Sequence, residues 1–315
     1  MSGPSEIDYP LEKTRDSVNA QYEPAPISLD AIRDHLVDVT RTETGATELG
    51  FVWTKGDSLL AFASSVDFLN DALSRPNIAA VLVESSVDIG PLSESDKARV
   101  FPVSNARLAF ARLHNSLRQF MKPAPTVIAE SARVHPTAVV DPFGVVIGDD
   151  VVVEPHAYIQ AGTEIRRGAV IRAGAQLGAD ALDIKEDEQG LPYMTDHLGG
   201  VVIGEFVEIG HHTVVDRSIF RQTATEVGAY TKVGCLSNIS HGVRIGVKNK
   251  ITAGVKICGS TIVGDENWIG PGAIISNLLT VGSRNYIALG ANVLSNLEDE
   301  WKVVGIRVFK DRKLF

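Results

Sequence analysis

From Val227 onward every sixth residue is branched and aliphatic: Val227, Val233, Ile239, Ile245, Ile251, Ile257, Val263, Ile269, Ile275, Val281, Ile287 and Val293. An amphipathic helix repeats every 3.6 residues and a half-buried strand every two, so neither accounts for a period of six. Six-residue repeats predict a parallel β-helix, in which each repeat lays down one short flat side and three repeats close a coil. Glycine follows many of the core positions (Gly228, Gly234, Gly246, Gly264, Gly270, Gly282). That placement is expected of tight corners, where the backbone needs conformations that a side chain obstructs.

Upstream the same period runs in two phases. Ile128, Val134 and Val140 keep one; Ile147, Val153, Ile159, Ile165, Ile171 and Leu177 keep the other, so the seven-residue step from Val140 to Ile147 implies a one-residue insertion at a corner. The spacing from Leu177 to Ile203 is not a multiple of six, and the polar, Gly-flanked stretch 178–201 reads as a loop expelled from the coil. The pattern resumes at Ile203, Ile209 and Val215, with Arg221 in the next slot as a second, smaller excursion.

Before the repeats the pattern changes. Ser28 is placed to cap a helix carrying Leu29, Ile32, Leu36 and Val39. LGFVWT (49–54), SLLAFA (58–63), AAVLVE (79–84) and VFPV (100–103) read as strands, Val66 to Leu73 as a helix, and Asn105 onward as a second helix. The expected organisation is a flexible arm (1–26), a small N-terminal α/β domain (27–122), a β-helix (127–296) and a short tail (297–315) with no long helix.

Composition narrows the function classes. At 315 residues the chain has room for a large core, and 44% hydrophobic content is ordinary for a soluble protein. No apolar run is long enough to span a bilayer, and the N-terminus lacks the features of a secretory signal, which places the protein in the cytoplasm. A net charge of −9 argues against a nucleic-acid partner. Cys235 and Cys258 read as two reduced thiols.

Three sixes make a coil of 18 residues, so residues 18 apart stack on neighbouring rungs. Core positions are explained by burial; chemistry belongs at the outward ones. Two past Ile239, Ile257 and Ile275 stand His241, Gly259 and Asn277, which form one column. An imidazole takes protons near neutral pH, and a glycine N–H can approach a developing oxyanion closely. Together they suit acyl transfer. Taken alone, His241 reads as a surface histidine and Gly259 as a corner glycine; His197, His211 and His212 read as loop or surface residues. No metal is expected: a trimeric β-helix carbonic anhydrase needs three His ligands, two of them close in sequence, and His241 has no further histidine within the next ten residues, although His211 and His212 keep that alternative open.

The segments GGVVIGEFVEIGHHTVVDRSIF, TEVGAYTKVGCLSNISHGVRIG and AGVKICGSTIVG carry a resemblance to the UDP-3-O-acylglucosamine N-acyltransferase family of lipid A synthesis, most specifically in VEIG (207–210), VDR (215–217) and SHGVRIG (240–246). The resemblance extends over roughly residues 28–293. It implies a left-handed β-helix that forms a homotrimer with active sites between subunits, His241 as general base and Gly259 as oxyanion donor. It also implies an acyl thioester on acyl carrier protein (ACP) or CoA as donor, a nucleotide-linked amino sugar as acceptor in lipopolysaccharide or surface-glycan synthesis, and no tightly bound cofactor. The family's aromatic sandwich for uracil falls on Phe62 and Phe68, whose ordinary alternative is core packing. The chain departs from the family at Leu278 (a second active-site His), ALDI 181–184 (a GFGY loop), Asp67 (a Lys) and in the missing C-terminal helix, in whose place WKVVGIRVFK (301–310) resembles the VVGxP ending of sugar acetyltransferases that use acyl-CoA, with Arg307 where Pro is usual. These departures leave open O-acylation of a nucleotide sugar, or a non-catalytic nucleotide-sugar-binding scaffold.

Overall fold

The computed structural model describes residues 25–305 and 307–310. The expected flexible arm falls, up to residue 24, outside the described residues. The chain divides into two compact units: Tyr22–Met121 with Leu182–Asp196, and Lys122–Ala181 with His197–Phe315.

The smaller unit is built on four parallel strands in sequential order: β1 (Glu48–Leu49), β2 (Leu59–Ala63), β3 (Ile78–Glu84) and β4 (Val100–Val103). Their apolar runs are buried, as parallel strands covered by helices require. Helix α1 (Val66–Ser74) is capped by the Ser65 hydroxyl accepting from the Phe68 N–H. A single turn, α2, spans Glu94–Lys97. Helix α3 (Ala106–Ser116) is capped by Asn105, whose Oδ1 accepts from the Leu108 N–H at 3.0 Å.

Two sequence expectations change in this unit. Ser28 does cap, but the element it opens is a 3-10 turn, Leu29–His35, because Ile32 has non-helical dihedrals. The expected strand 49–54 shortens to Glu48–Leu49; beyond it the chain turns, with the Thr54 N–H donating to Phe51 O and the Thr54 hydroxyl accepting from the Phe51 N–H.

The larger unit is the expected parallel β-helix. Its short strands stack into sheets of eight, eight and ten, and the three six-step columns of aliphatic residues form one continuous core. Pairings of Ile239 with Ile257 and of Ile257 with Ile275 confirm the 18-residue coil. Pairing of Val140 with Ile159, and of Ile128 with Ile147, locates the one-residue insertion in the first coil, where Gly144 adopts φ 76°. Ile203 pairs with Val227, a step of 24. The slot of Arg221 is therefore extruded whole, and a six-residue extrusion leaves the phase intact.

The corner glycines have a different reason from the one expected. Gly228, Gly234, Gly246, Gly270 and Gly282 do not have left-handed backbones; a Cβ at each would collide with the next rung, as at Gly234 against Ala253 N (2.6 Å) and Gly270 against Leu289 N (2.6 Å). The left-handed corner lies three past each core residue and itself repeats every six: Tyr230, Leu236, Gly242, Lys248, Gly254, Ser260, Glu266, Gly272, Leu278, Arg284, Gly290. Non-glycine residues at φ near 60° are uncommon, and the stacked coil imposes the conformation on them.

The expelled loop is more ordered than its composition suggests. Ile184–Glu186 and Pro192–Met194 pair antiparallel, and this hairpin belongs to the smaller unit. There Arg112 pairs with Glu188 at 2.7 Å, and the Asn115 Nδ2 donates to Met194 O at 2.8 Å. The tail forms Trp301–Val304, which joins the ten-stranded sheet beside Tyr286–Ile287, and Arg307–Lys310, which pairs antiparallel with it.

Candidate active site

The column derived from coil arithmetic is present. The Ser260 N–H donates to His241 O at 2.9 Å and the Leu278 N–H donates to Gly259 O at 3.0 Å, so the three rungs are tied together beside the column. His241 is half-buried and its ring lies against Gly259: a Cβ there would sit 2.5 Å from both Cε1 and Nε2. Gly259 has no left-handed backbone, so backbone conformation does not demand a glycine there. Its lack of a side chain makes room for the imidazole. Asn277 is exposed, its Oδ1 accepting from the Ser276 hydroxyl at 3.3 Å, and Leu278 is the left-handed corner beside it.

A second imidazole stands at this place. His197, expected to be a loop or surface residue, is 2% exposed, and its ring centre is 5.6 Å from that of His241 with the planes at 68°. It sits where the chain re-enters the β-helix. The next residues are fixed to the second excursion: the Leu198 N–H donates to Ile219 O (2.8 Å), the Gly199 N–H to Ser218 O (2.9 Å) and Arg217 Nε to Gly199 O (3.0 Å). No period marks His197; only its place just before the returning repeat could have drawn attention to it.

Asp216 lies one rung below Ser240, the residue before His241. It is buried, its Oδ2 accepts from Asn238 Nδ2 at 3.4 Å, and the Ser240 hydroxyl also bonds to it. Burial raises its carboxyl to about 6, against the lowering effect of the Asn238 and Ser240 bonds, with the Asp180 charge adding to the rise. Burial also raises the Cys258 thiol, which the nearby Lys256 charge partly offsets.

Phe62, on β2, is half-buried in an aromatic cluster, with Phe110 at 5.1 Å and Phe51 at 6.2 Å between ring centres. Phe68 projects from α1 and is 39% exposed. His211 is exposed, 3.7 Å from the Glu154 carboxylate; His212 is exposed over Gly174. Among the described residues no three His, Cys, Asp or Glu side chains gather as a metal-holding group. No helix among them is long and apolar enough to cross a membrane.

Fold and repeat define the class: a parallel β-helix of hexapeptide repeats with a small α/β unit. The model of the bacterial transferase hexapeptide family (six repeats) matches residues 144–179. Over part of its length the chain is similar to UDP-3-O-acylglucosamine N-acyltransferases. It is 38% identical over 86 residues to UDP-3-O-acylglucosamine N-acyltransferase 2 of Legionella pneumophila (strain Paris), covering 27% of this chain and 24% of that protein. It is 36% identical over 85 residues to the Campylobacter jejuni (strain RM1221) enzyme, covering 27% and 26%. The chain thus spans about a quarter of the length of these relatives, and the similarity is narrower than the 28–293 suggested by the motifs. Among solved structures, the UDP-N-acetylglucosamine acyltransferase of Francisella novicida overlays 57% of this chain and 65% of its own, with a TM-score of 0.48 and 22% identity.

Proposed function

We propose that the protein transfers an acyl group from an acyl thioester, carried on ACP or CoA, to the amino group of a nucleotide-linked amino sugar in lipopolysaccharide or surface-glycan synthesis. The observation that carries this reading is the His241 imidazole lying against the side-chain-free Gly259. The amine lone pair attacks the thioester carbonyl carbon while a ring nitrogen of His241 accepts the amine proton. The carbonyl oxygen becomes an oxyanion, which the Gly259 N–H stabilises. As the C–N bond becomes an amide the C–S bond breaks, and the imidazolium returns its proton to the departing thiolate. The relatives' names support the amino-sugar acceptor. Phe68 offers the smaller unit an exposed aromatic face on which a nucleobase can stack.

The test follows thiol release from acyl-ACP and acyl-CoA with a panel of nucleotide amino sugars. Removing the base in His241→Ala lowers turnover about 10²–10⁴-fold. Gly259→Ala lowers it as well, because the new Cβ displaces the ring, while the fold is retained since that backbone is ordinary for alanine. Turnover by His241→Ala equal to wild type removes His241 as base; absent turnover in both leaves a nucleotide-sugar-binding scaffold.

A further inference from the structure

We propose that His197 is a positioning residue for His241, holding its imidazole against Gly259; this rests on the acyl-transfer reading above. The two rings meet close to edge-on, 5.6 Å between centres and 68° between planes, an arrangement in which the positive edge of one ring meets the π face of the other. His197 is 2% exposed, whereas His241 is half-buried. The buried ring is thus the fixed partner and the half-exposed ring the one being held.

His197 is itself anchored by its chain. The Leu198 and Gly199 N–H groups and the Gly199 carbonyl are all bonded to residues 217–219, and the Gly200 N–H donates to Thr223 O at 3.0 Å. Arg217 also donates from Nη2 to Ala161 O at 2.9 Å, fastening the re-entry to the rung below. Two extruded segments therefore lock together at the point where His197 meets the base. An imidazole on two single bonds otherwise sweeps its nitrogens through several ångströms, and a displacement of about 1 Å at a reacting atom costs on the order of 100-fold in rate.

The test compares three variants of the full chain. His197→Ala is expected to lower kcat roughly 10- to 100-fold while KM for donor and acceptor stays near the wild-type value. H197F keeps a ring and is expected to lose less kcat than H197Q, which keeps hydrogen-bonding ends but no ring. A kcat for His197→Ala within about threefold of wild type overturns the proposal, as does H197Q outperforming H197F; the latter order also decides the matter if the alanine variant fails to fold. A crystal structure of H197Q gives a readout independent of turnover. A His241 ring displaced from Gly259 supports the proposal, and an unmoved ring overturns it. Should the wild-type protein transfer no acyl group, the functional reading fails while the ring position still answers for His197.

Discussion

At the scale of the residue, Asp216 couples the stability of the fold to pH. Its carboxyl is raised to about 6 by burial, whereas the unfolded chain restores a value near 3.8. The folded state therefore binds the proton more tightly than the unfolded state. Stability is greatest below the unfolded value and is lost as pH rises from about 4 through about 6, by on the order of 2–3 kcal/mol. Asp216→Asn removes the ionisation and keeps an acceptor for Asn238. Its melting temperature should match wild type near pH 4 and exceed it increasingly up to about pH 7. A constant difference across that range would show that Asp216 is not the titrating group. Asp216 belongs to the VDR motif, so its presence was visible in the sequence; its burial was not, because that depends on the expelled segments around it. His241 and Gly259 were legible for the opposite reason. They lie where the 18-residue coil is unbroken, so counting alone stacks them. His197 lies beyond a stretch that follows no period, and no count could bring it to His241.

At the scale of the element, one corner of the β-helix carries a buried ladder of polar side chains at the same 18-residue spacing. The Thr231 hydroxyl accepts from the Asn249 N–H (3.1 Å), Asn249 Oδ1 from the Asn267 N–H (2.9 Å) and Nδ2 (3.0 Å), Asn267 Oδ1 from the Asn285 N–H (2.8 Å), and Asn285 Oδ1 from the Trp301 N–H (2.7 Å). At this corner the chain turns between sheets, and side-chain oxygens supply the partners that buried N–H groups require. Asn267→Ala removes the partner of the Asn285 N–H and is expected to destabilise the protein by about 1–3 kcal/mol. Chemical denaturation checks this; an unchanged midpoint would mean that water enters the corner and replaces the amide. The ladder was countable in the sequence as Asn249, Asn267 and Asn285 but is hidden beside the stronger aliphatic period. The first excursion is marked in the sequence by its broken spacing and the second by Arg221 in an aliphatic slot, yet the hairpin within the first is not, because its two short strands pair with each other and carry no repeat. The 3-10 turn at Leu29–His35 looks like a regular helix in the sequence because capping and spacing are alike in the two over so short a span.

At the scale of the whole molecule, the β-helix buries its aliphatic columns from Ile147 onward and still leaves large apolar side chains outside. Leu289 is 76% exposed, Leu294 72%, Leu236 68%, Tyr286 44% and Trp268 41%. Scattered apolar residues are normal on a soluble surface, but five of this size on one β-helix unit point to burial against other protein. The sequence resemblance implies two further copies of this chain as the partner, and we propose a homotrimer. Its mass would be three times 33.8 kDa, about 100 kDa. Sedimentation equilibrium at micromolar concentration checks this directly, and a single species at the mass of one chain would remove the trimer and with it any active site shared between subunits. A paired substitution locates the contact. Leu289→Glu with Leu294→Glu places charge on the two most exposed leucines of the β-helix, outside its core, so the monomer should fold unchanged while association weakens by at least tenfold. If the doubly charged variant sediments as wild type does, the copies meet through another face.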